Sequence, residues 1–138
     1  MSRERYLFSA SGDNKERTTQ GLAKFFELCA EHGSGVIVVP VIGKVDSTLF
    51  TKVLKPELAK ALIKNRTVTF GAGKTITLCS STTLNKHTGA KVYLTLWCSE
   101  KVIYEIEKSC YSCVAEVFVT WAPEDADAWT KAYEVTSI

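Results

Sequence analysis

The chain has 138 residues, of which 46% are hydrophobic and 23% are charged. These values are typical of one globular domain with a buried core, and they exclude an intrinsically disordered chain. The 17 lysines and arginines nearly balance the 15 aspartates and glutamates, for a net charge of +2. Duplex nucleic-acid binders usually carry a marked basic excess, so this balance argues against nucleic acid as the partner.

The start of the chain and its cysteines bear on the cellular compartment. Residues 1–5 lead into a short apolar stretch with no secretory cleavage pattern. No apolar run approaches the ~20 residues that a membrane span needs. Five cysteines are an odd number for a chain with no export signal, which favours reduced thiols. We therefore expect a cytoplasmic protein with no membrane partner.

The first part of the chain predicts a strand, a helix and a second strand. Apolar residues at 6–10 predict the first strand. Asp13 is expected to cap a helix over about residues 14–32, and Gly33 is suited to end it. The unbroken β-branched run over residues 35–41 is typical of a strand covered on both faces, as in a parallel sheet. Pro40 must lie at its end, because proline cannot donate to a central ladder.

The rest of the chain alternates strand and helix patterns around one hairpin. Two alternating segments flank a glycine-containing stretch, which predicts an antiparallel hairpin. Trp129 and Tyr133 fall on the apolar face of the last predicted helix, and Trp129 is expected to be part of the core. In order, the predicted elements are a helix from Pro56 to Asn65, strands at 67–70, 75–79 and 92–97, a helix capped by Ser99, a strand at 114–121, and a helix opening at Pro123.

This order predicts a single α/β domain over residues 1–138. Alternating strands and helices imply parallel pairing through right-handed crossovers, with helices on the faces of the sheet. We expect a Rossmann-like or flavodoxin-like, mostly parallel sheet of about five strands with helices on both faces. The hairpin adds one antiparallel pair, which is a common mixture.

The string from Gly71 to Thr75 resembles the tail of a phosphate-binding loop. The full pattern needs a glycine five residues before Gly73 and a helix after the loop. Val68 occupies that position, and the residues that follow alternate like a strand. We therefore interpret this segment as the turn of the hairpin.

The stretch after the first strand is the better candidate for a ligand site. Residues 9–14 combine two serines, a glycine and the start of a helix, which suit an anion or ribose hydroxyls. The same residues are also those that cap a helix, so both interpretations stay open. Trp97 and Trp121 each end a predicted strand, and in a parallel sheet both indoles lie at the same edge. They can stack on a planar ligand there or pack beneath the following helices.

Cysteine and histidine patterns give no metal or redox site. Cys110 and Cys113 form a lone C-x-x-C between a predicted helix and a strand, whereas a redox pair would open a helix. A zinc site would need two more ligands, for which Cys98 and His87 are possible, but no second closely spaced pair exists. We expect no metal, no cofactor and no catalytic residue.

We expect the chain to bind a small nucleotide-like ligand without catalysis, at the carboxyl edge of the sheet and in a homo-oligomer. One alternative is a small hydrolase or glycosyl-transfer enzyme acting on a nucleotide or nucleoside, with Glu100 as acid, base or nucleophile. Another is a protein–protein adaptor or inhibitor that buries Trp121 in a partner. The predicted ligand-binding residues are Ser9, Ser11, Gly12, Asp13, Asn14, Arg17, Lys44, Trp97, Ser99, Glu100 and Trp121.

Overall fold

The computed structural model describes residues 3–12, 14–41, 54–71 and 73–138. Within these residues the strands are β1 (Glu4–Phe8), β2 (Gly35–Val39), β3 (Thr67–Phe70), β4 (Lys74–Ser80), β5 (Val92–Leu96), β6 (Ala115–Val119) and β7 (Thr136–Ser137). The α-helices are α1 (Lys15–His32), α2 (Pro56–Asn65), α3 (Glu100–Ser109) and α4 (Asp127–Ala132). Short 3-10 turns cover Leu84–Lys86 and Pro123–Ala126.

All seven strands belong to one sheet, in the order β3-β4-β2-β5-β6-β1-β7. The β3–β4 pair is antiparallel, and every other neighbouring pair is parallel. This confirms the mostly parallel α/β fold with one antiparallel hairpin. The sheet has seven strands where about five were expected. The two-residue strand β7 was missed because it is too short to carry a sequence pattern and depends on pairing with β1.

The helices cover both faces of the sheet and enclose two apolar cores. On one face, α1 and α2 pack against the sheet through residues such as Phe25 and Leu62. On the other face, α3 and α4 pack through Ile106 and Trp129. Trp129 is therefore a core residue, as predicted. The central strand β2 is buried at all five positions, which explains why its sequence is β-branched without alternation.

Helix α1 begins at a side-chain cap and packs tightly against the sheet. Asn14, and not Asp13, is the capping residue, and its Oδ1 accepts a hydrogen bond of 2.9 Å from the Arg17 N–H. Either side chain could supply this oxygen, so the sequence did not distinguish them. A Cβ at Gly21 would lie 2.3 Å from Val119 Cγ2. The glycine is needed because the backbone of α1 approaches β6 so closely.

Several predicted boundaries are corrected by one or two residues. The strand predicted at 6–10 ends at Phe8, and the strand predicted at 35–41 ends at Val39, before Pro40. Trp97 and Trp121 lie just beyond the strands that they were expected to end. The last helix is preceded by a 3-10 turn and ends at Ala132, so Tyr133 lies outside it and is exposed. Ser99 occupies the cap position of α3, but its side chain makes no capping hydrogen bond.

The hairpin prediction is confirmed at the glycine pair. Gly71 and Gly73 have φ values of 55° and 79°, which glycine adopts without steric cost. The Lys74 ammonium donates to the backbone carbonyl of Ala30 at 2.9 Å. No helix follows this turn, so it lacks the structure of a phosphate-binding loop.

Among the described helices, none is long and apolar enough to cross a membrane.

Candidate functional site

The carboxyl ends of three neighbouring strands meet at one edge of the sheet. Phe8 of β1 and Leu96 of β5 are both in register with Val119 of β6. The segments that follow these strands therefore start side by side. Trp97 is the first residue after β5 and Trp121 is the second residue after β6. The two tryptophans therefore lie at the same edge, where the loop after β1 also lies.

The loop after β1 is tied to the end of β6 by hydrogen bonds. The buried Thr120 hydroxyl accepts from the Ala10 N–H at 2.8 Å and donates to the Ala10 carbonyl at 2.7 Å. The Gly12 N–H donates to the Trp121 carbonyl at 2.6 Å. Gly12 has a φ of 62°, which suits glycine. The loop conformation is thus set by two residues that follow β6, more than a hundred positions away in the chain.

Arg17 is held by groups of the protein itself. Its Nε donates to the Ser9 carbonyl at 3.1 Å, and its Nη1 donates to Gln20 Oε1 at 2.8 Å. Its Nη2 donates to the carbonyl of Ile138. The guanidinium therefore braces the loop and the end of the chain against α1. A ligand could use it only by replacing some of these acceptors.

The two tryptophans differ in accessibility. Trp97 is half-buried against α1, and its Nε1 lies 3.4 Å from the buried hydroxyl of Thr18. It has a φ of 60°, an uncommon and strained conformation for a bulky residue. Trp121 is 49% exposed. Trp97 therefore packs against α1 at this edge, whereas the side chain of Trp121 is accessible to a ligand.

The structure brings most of the predicted site residues to this edge. Ser9 and Ser11 are exposed in the loop, and Ser99 and Glu100 are exposed where α3 begins, after β5. Gly12, Asn14 and Arg17 lie between the loop and the first turn of α1. Asp13 and Lys44 lie outside the described residues.

The loop after β1 carries a signal of its own, which is hard to see in the sequence because the glycines of the corresponding pattern are replaced. A phosphate-binding loop has the pattern Gly-x-x-x-x-Gly-Lys-Ser/Thr between a strand and a helix. Residues 9–16 run from the end of β1 into the first turn of α1, and Lys15 stands at the position of the pattern's lysine. Ser9 and Asn14 stand in place of the two glycines, and Glu16 stands in place of the hydroxyl residue. The position and the lysine are retained, but most of the pattern is not.

These departures determine what the edge can do chemically. In a complete phosphate-binding loop, backbone N–H groups cradle the phosphates and the Ser/Thr hydroxyl contacts Mg²⁺. Here the N–H groups of Ala10 and Gly12 already have protein acceptors, and Glu16 places a carboxylate where the hydroxyl would be. The exposed groups at this edge include the Ser9 and Ser11 hydroxyls, the Lys15 ammonium and the Trp121 ring. They suit binding better than metal-assisted hydrolysis.

A second polar cluster, buried beneath α3 and α4, was not predicted at all. Glu116 of β6 is fully buried, and its Oε2 accepts from Arg3 at 3.0 Å. Glu107 accepts from Arg3, from Arg5 and from the Trp129 indole at 2.7–2.9 Å. Burial, together with the charge of Glu107, raises the pKa of Glu116 to about 8. Burial opposes ionisation of Glu107, but hydrogen bonds from Arg5 and Trp129 outweigh it and lower the pKa of Glu107.

A groove of about 650 Å³ lies over this cluster, between α3 and α4. Its lining is mostly apolar and includes Tyr104, Glu107, Trp129 and Tyr133. Glu100 lines the end nearest the carboxyl edge of the sheet. Of the predicted site residues, Glu100 is thus the one that faces a described cavity.

The cysteines are buried and unpaired. All five are free thiols, and burial raises the pKa of Cys29 and of Cys79 to about 12. Such thiols are unreactive at neutral pH. Cys110 and Cys113 lie in a turn between α3 and β6 and face the core, as expected for small apolar residues.

Comparison with solved structures identifies proteins of similar fold. The large terminase of a thermophilic bacteriophage matches with a TM-score of 0.62 and 11% identity, over 99% of this chain and 40% of that one. The UvsW helicase from bacteriophage T4 matches with a TM-score of 0.55 and 14% identity, over 99% of this chain and 55% of that one. This chain thus spans about half the length of these proteins, or less. No protein-family model matches the chain. No curated protein matches it either.

Proposed function

We propose that this chain, as a single domain, binds a small nucleotide-like ligand at the carboxyl edge of its sheet without catalysing a reaction. One observation carries the proposal: the loop of residues 9–12, which leads to an 18-residue helix, is hydrogen-bonded at Gly12 to the backbone of Trp121, whose side chain is half-exposed. Open α/β sheets take their ligands outside the carboxyl ends of the strands. A helix N-terminus and a lysine favour a phosphate, and an exposed indole favours a base.

The residues that depart from the phosphate-binding pattern support binding without hydrolysis. Glu16 cannot supply the hydroxyl that contacts Mg²⁺, and its charge opposes a triphosphate at the same position. The end of β5 offers no carboxylate to hold a metal ion before Glu100, because the residues that follow this strand are Trp97, Cys98 and Ser99. The likeness to a terminase and a helicase is one of fold, and it is compatible with a ligand at this edge.

The predicted homo-oligomer and the cytoplasmic location belong to the same proposal. A second copy could complete a site that one small domain leaves open on the Trp121 side. The free, buried cysteines are compatible with a reducing compartment. Light scattering coupled to size-exclusion chromatography measures the subunit number directly, with and without the ligand.

Fluorescence titration tests the ligand, because a base stacked on Trp121 would quench its emission. The titration uses AMP, ADP, ATP and a cyclic nucleotide, each with and without Mg²⁺. We expect saturable quenching that does not require Mg²⁺ and that is lost in Trp121→Phe. Lys15→Ala should weaken binding about tenfold, the loss of one charged contact at roughly 1.5 kcal/mol. Lys108→Ala is the control, since Lys108 is exposed in the last turn of α3, at the other end of the sheet. Equal affinities of Lys15→Ala and Lys108→Ala would refute the proposal.

A catalytic role for Glu100 is the second candidate, because Glu100 is exposed, starts α3 and lines the groove between α3 and α4. Glu100→Gln distinguishes the two candidates. An enzyme would lose turnover of nucleotides or nucleosides and keep its ligand, whereas a binder would show no turnover in either form.

If nucleotides fail to bind while Trp121→Ala breaks up an assembly, the exposed indole serves a protein interface instead.

A further inference from the structure

A cluster of metal-ligating side chains lies at the opposite, amino edge of the sheet. His32 Nε2 lies 2.9 Å from Glu4 Oε2 and 3.8 Å from Glu31 Oε1. Ligand atoms of the three residues all lie within 4.8 Å of one another. We propose that Glu4, Glu31 and His32 form a binding site for Zn²⁺, with one coordination position left open to water.

The spacing of these atoms is close to that of a tetrahedral zinc site. Zinc bonds to nitrogen and carboxylate oxygen are about 2.0–2.2 Å long, so ligand atoms at tetrahedral angles lie roughly 3.3–3.6 Å apart. The two separations from His32, 2.9 Å and 3.8 Å, lie on either side of this value, and the Glu4–Glu31 pair lies within 4.8 Å. All three side chains reach solvent. They can therefore adjust to a bound ion without disturbing the core.

The three residues are carried by rigid elements, and one of them has an outer partner. Glu4 begins β1, and its N–H donates to the Val114 carbonyl at 2.9 Å. The Tyr6 hydroxyl donates to Glu4 Oε1 at 2.6 Å, which orients the carboxylate and leaves Oε2 toward His32. Outer partners of this kind are typical of metal sites, because they orient the ligating group.

The local charge favours a cation. Glu31 and His32 lie in the last turn of α1, whose carboxyl end carries the negative pole of the helix dipole. Two basic side chains lie nearby and have other partners: Lys24 contacts Glu27 at 3.3 Å and the face of the Tyr6 ring, and Lys74 donates to the Ala30 carbonyl at 2.9 Å. Two carboxylates thus face one imidazole, and a divalent ion would balance their charge.

The donor set indicates zinc among the common divalent ions. One imidazole with two carboxylates is a ligand type that zinc accepts, with three protein ligands and an open fourth position. Calcium takes six to eight oxygen ligands, and magnesium prefers octahedral oxygen sites. The five thiols do not compete for the ion, because all of them are buried and burial raises the pKa of thiols such as Cys29.

Calorimetric titration of the full chain with ZnCl₂, at neutral pH with a non-thiol reductant, tests the site. We expect one saturable site in the parent. His32→Ala and Glu31→Gln should each weaken it at least tenfold, and Tyr6→Phe roughly tenfold, the effect usual for an outer partner. His87→Ala is the matched control. The Tyr93 hydroxyl donates to the backbone carbonyl of His87, and alanine keeps that carbonyl. Calcium and magnesium should give no saturable heat.

Imidazole NMR resonances provide a second readout that does not depend on affinity. Adding Zn²⁺ should shift the ring signals of His32 and leave those of His87 in place. Glu31 is exposed, so Glu31→Gln keeps the fold and decides the matter if His32→Ala is unfolded. The proposal is overturned if the parent binds no zinc, if Glu31→Gln binds as the parent does, or if the His87 signals shift instead.

Discussion

Replacing Glu116 by glutamine should remove a pH-dependent component of stability. Glu116 is fully buried on β6, with Arg3 at 3.0 Å from its Oε2. Its Oε1 has no hydrogen-bond partner among the described groups unless the carboxyl is protonated and donates to Glu107. A glutamine side chain has the same shape, and its amide can donate at that position permanently.

The sign follows from where the proton resides. The pKa of Glu116 is raised to about 8 by burial, whereas an unfolded glutamate has its ordinary value of 4.5. Between these values the folded state holds one proton more than the unfolded state, so the parent loses stability as pH rises. One proton corresponds to at most about 1.4 kcal/mol per pH unit. The free energy of unfolding of Glu116→Gln, minus that of the parent, should therefore increase by up to about 3 kcal/mol between pH 6 and pH 8.

Urea denaturation at pH 5.5, 6.5, 7.5 and 8.5, followed by circular dichroism, measures this difference. The slope of free energy against urea should be the same for both proteins, so that the midpoints report stability. Glu105→Gln is the control, because Glu105 lies exposed on the same helix, α3, that carries Glu107. A difference between Glu116→Gln and the parent that stays constant across the pH range would show that Glu116 is ionised in the folded protein at neutral pH.

Two further substitutions test the packing and the loop. A Cβ at Gly35 would lie 2.5 Å from Cys29 Sγ, so Gly35→Ala should lower the free energy of unfolding, measured by urea denaturation, by about 1–3 kcal/mol. Gly89 lies in open space, so Gly89→Ala should lower it far less. Equal losses would contradict the close packing of α1 on β2. Thr120→Val leaves the Ala10 N–H without the acceptor it has at 2.8 Å and should cost about 1–3 kcal/mol and weaken ligand binding at the carboxyl edge. Thr120→Ser keeps the hydroxyl and should behave like the parent in both measurements, and a valine variant as stable as the parent would refute the role of this hydrogen bond.

Local sequence patterns predicted the elements whose stability is local or whose burial is uniform. The β-branched run of β2 is central in the sheet and covered on both faces, so its burial pattern is visible in the sequence itself. The glycine pair at residues 71 and 73 predicted the hairpin because the turn conformation depends on those residues alone. The cap of α1 was predicted one residue early, because Asp13 and Asn14 can both supply the capping oxygen.

Other features depend on partners that are distant in the chain. Nothing near Glu116 in the sequence indicates that its carboxyl is buried, because its partner, Arg3, lies 113 positions away in the chain. The three residues of the proposed zinc site likewise come from β1 and from the far end of α1. Trp97 was expected at the carboxyl edge, and it lies there, but its left-handed backbone and its contact with Thr18 exist only once α1 packs over β5.

The sequence by itself determined the α/β class, the parallel sheet with its hairpin and the edge at which the loop and both tryptophans meet. These follow from apolar periodicity and turn residues, which act over a few positions along the chain. Only the tertiary structure decided which backbone groups of the loop are already hydrogen-bonded, which tryptophan remains exposed, and which charges lie buried together. Those outcomes depend on strand order, because β6 inserts between β1 and β5 and brings Thr120, Trp121 and Glu116 against residues from the other end of the chain.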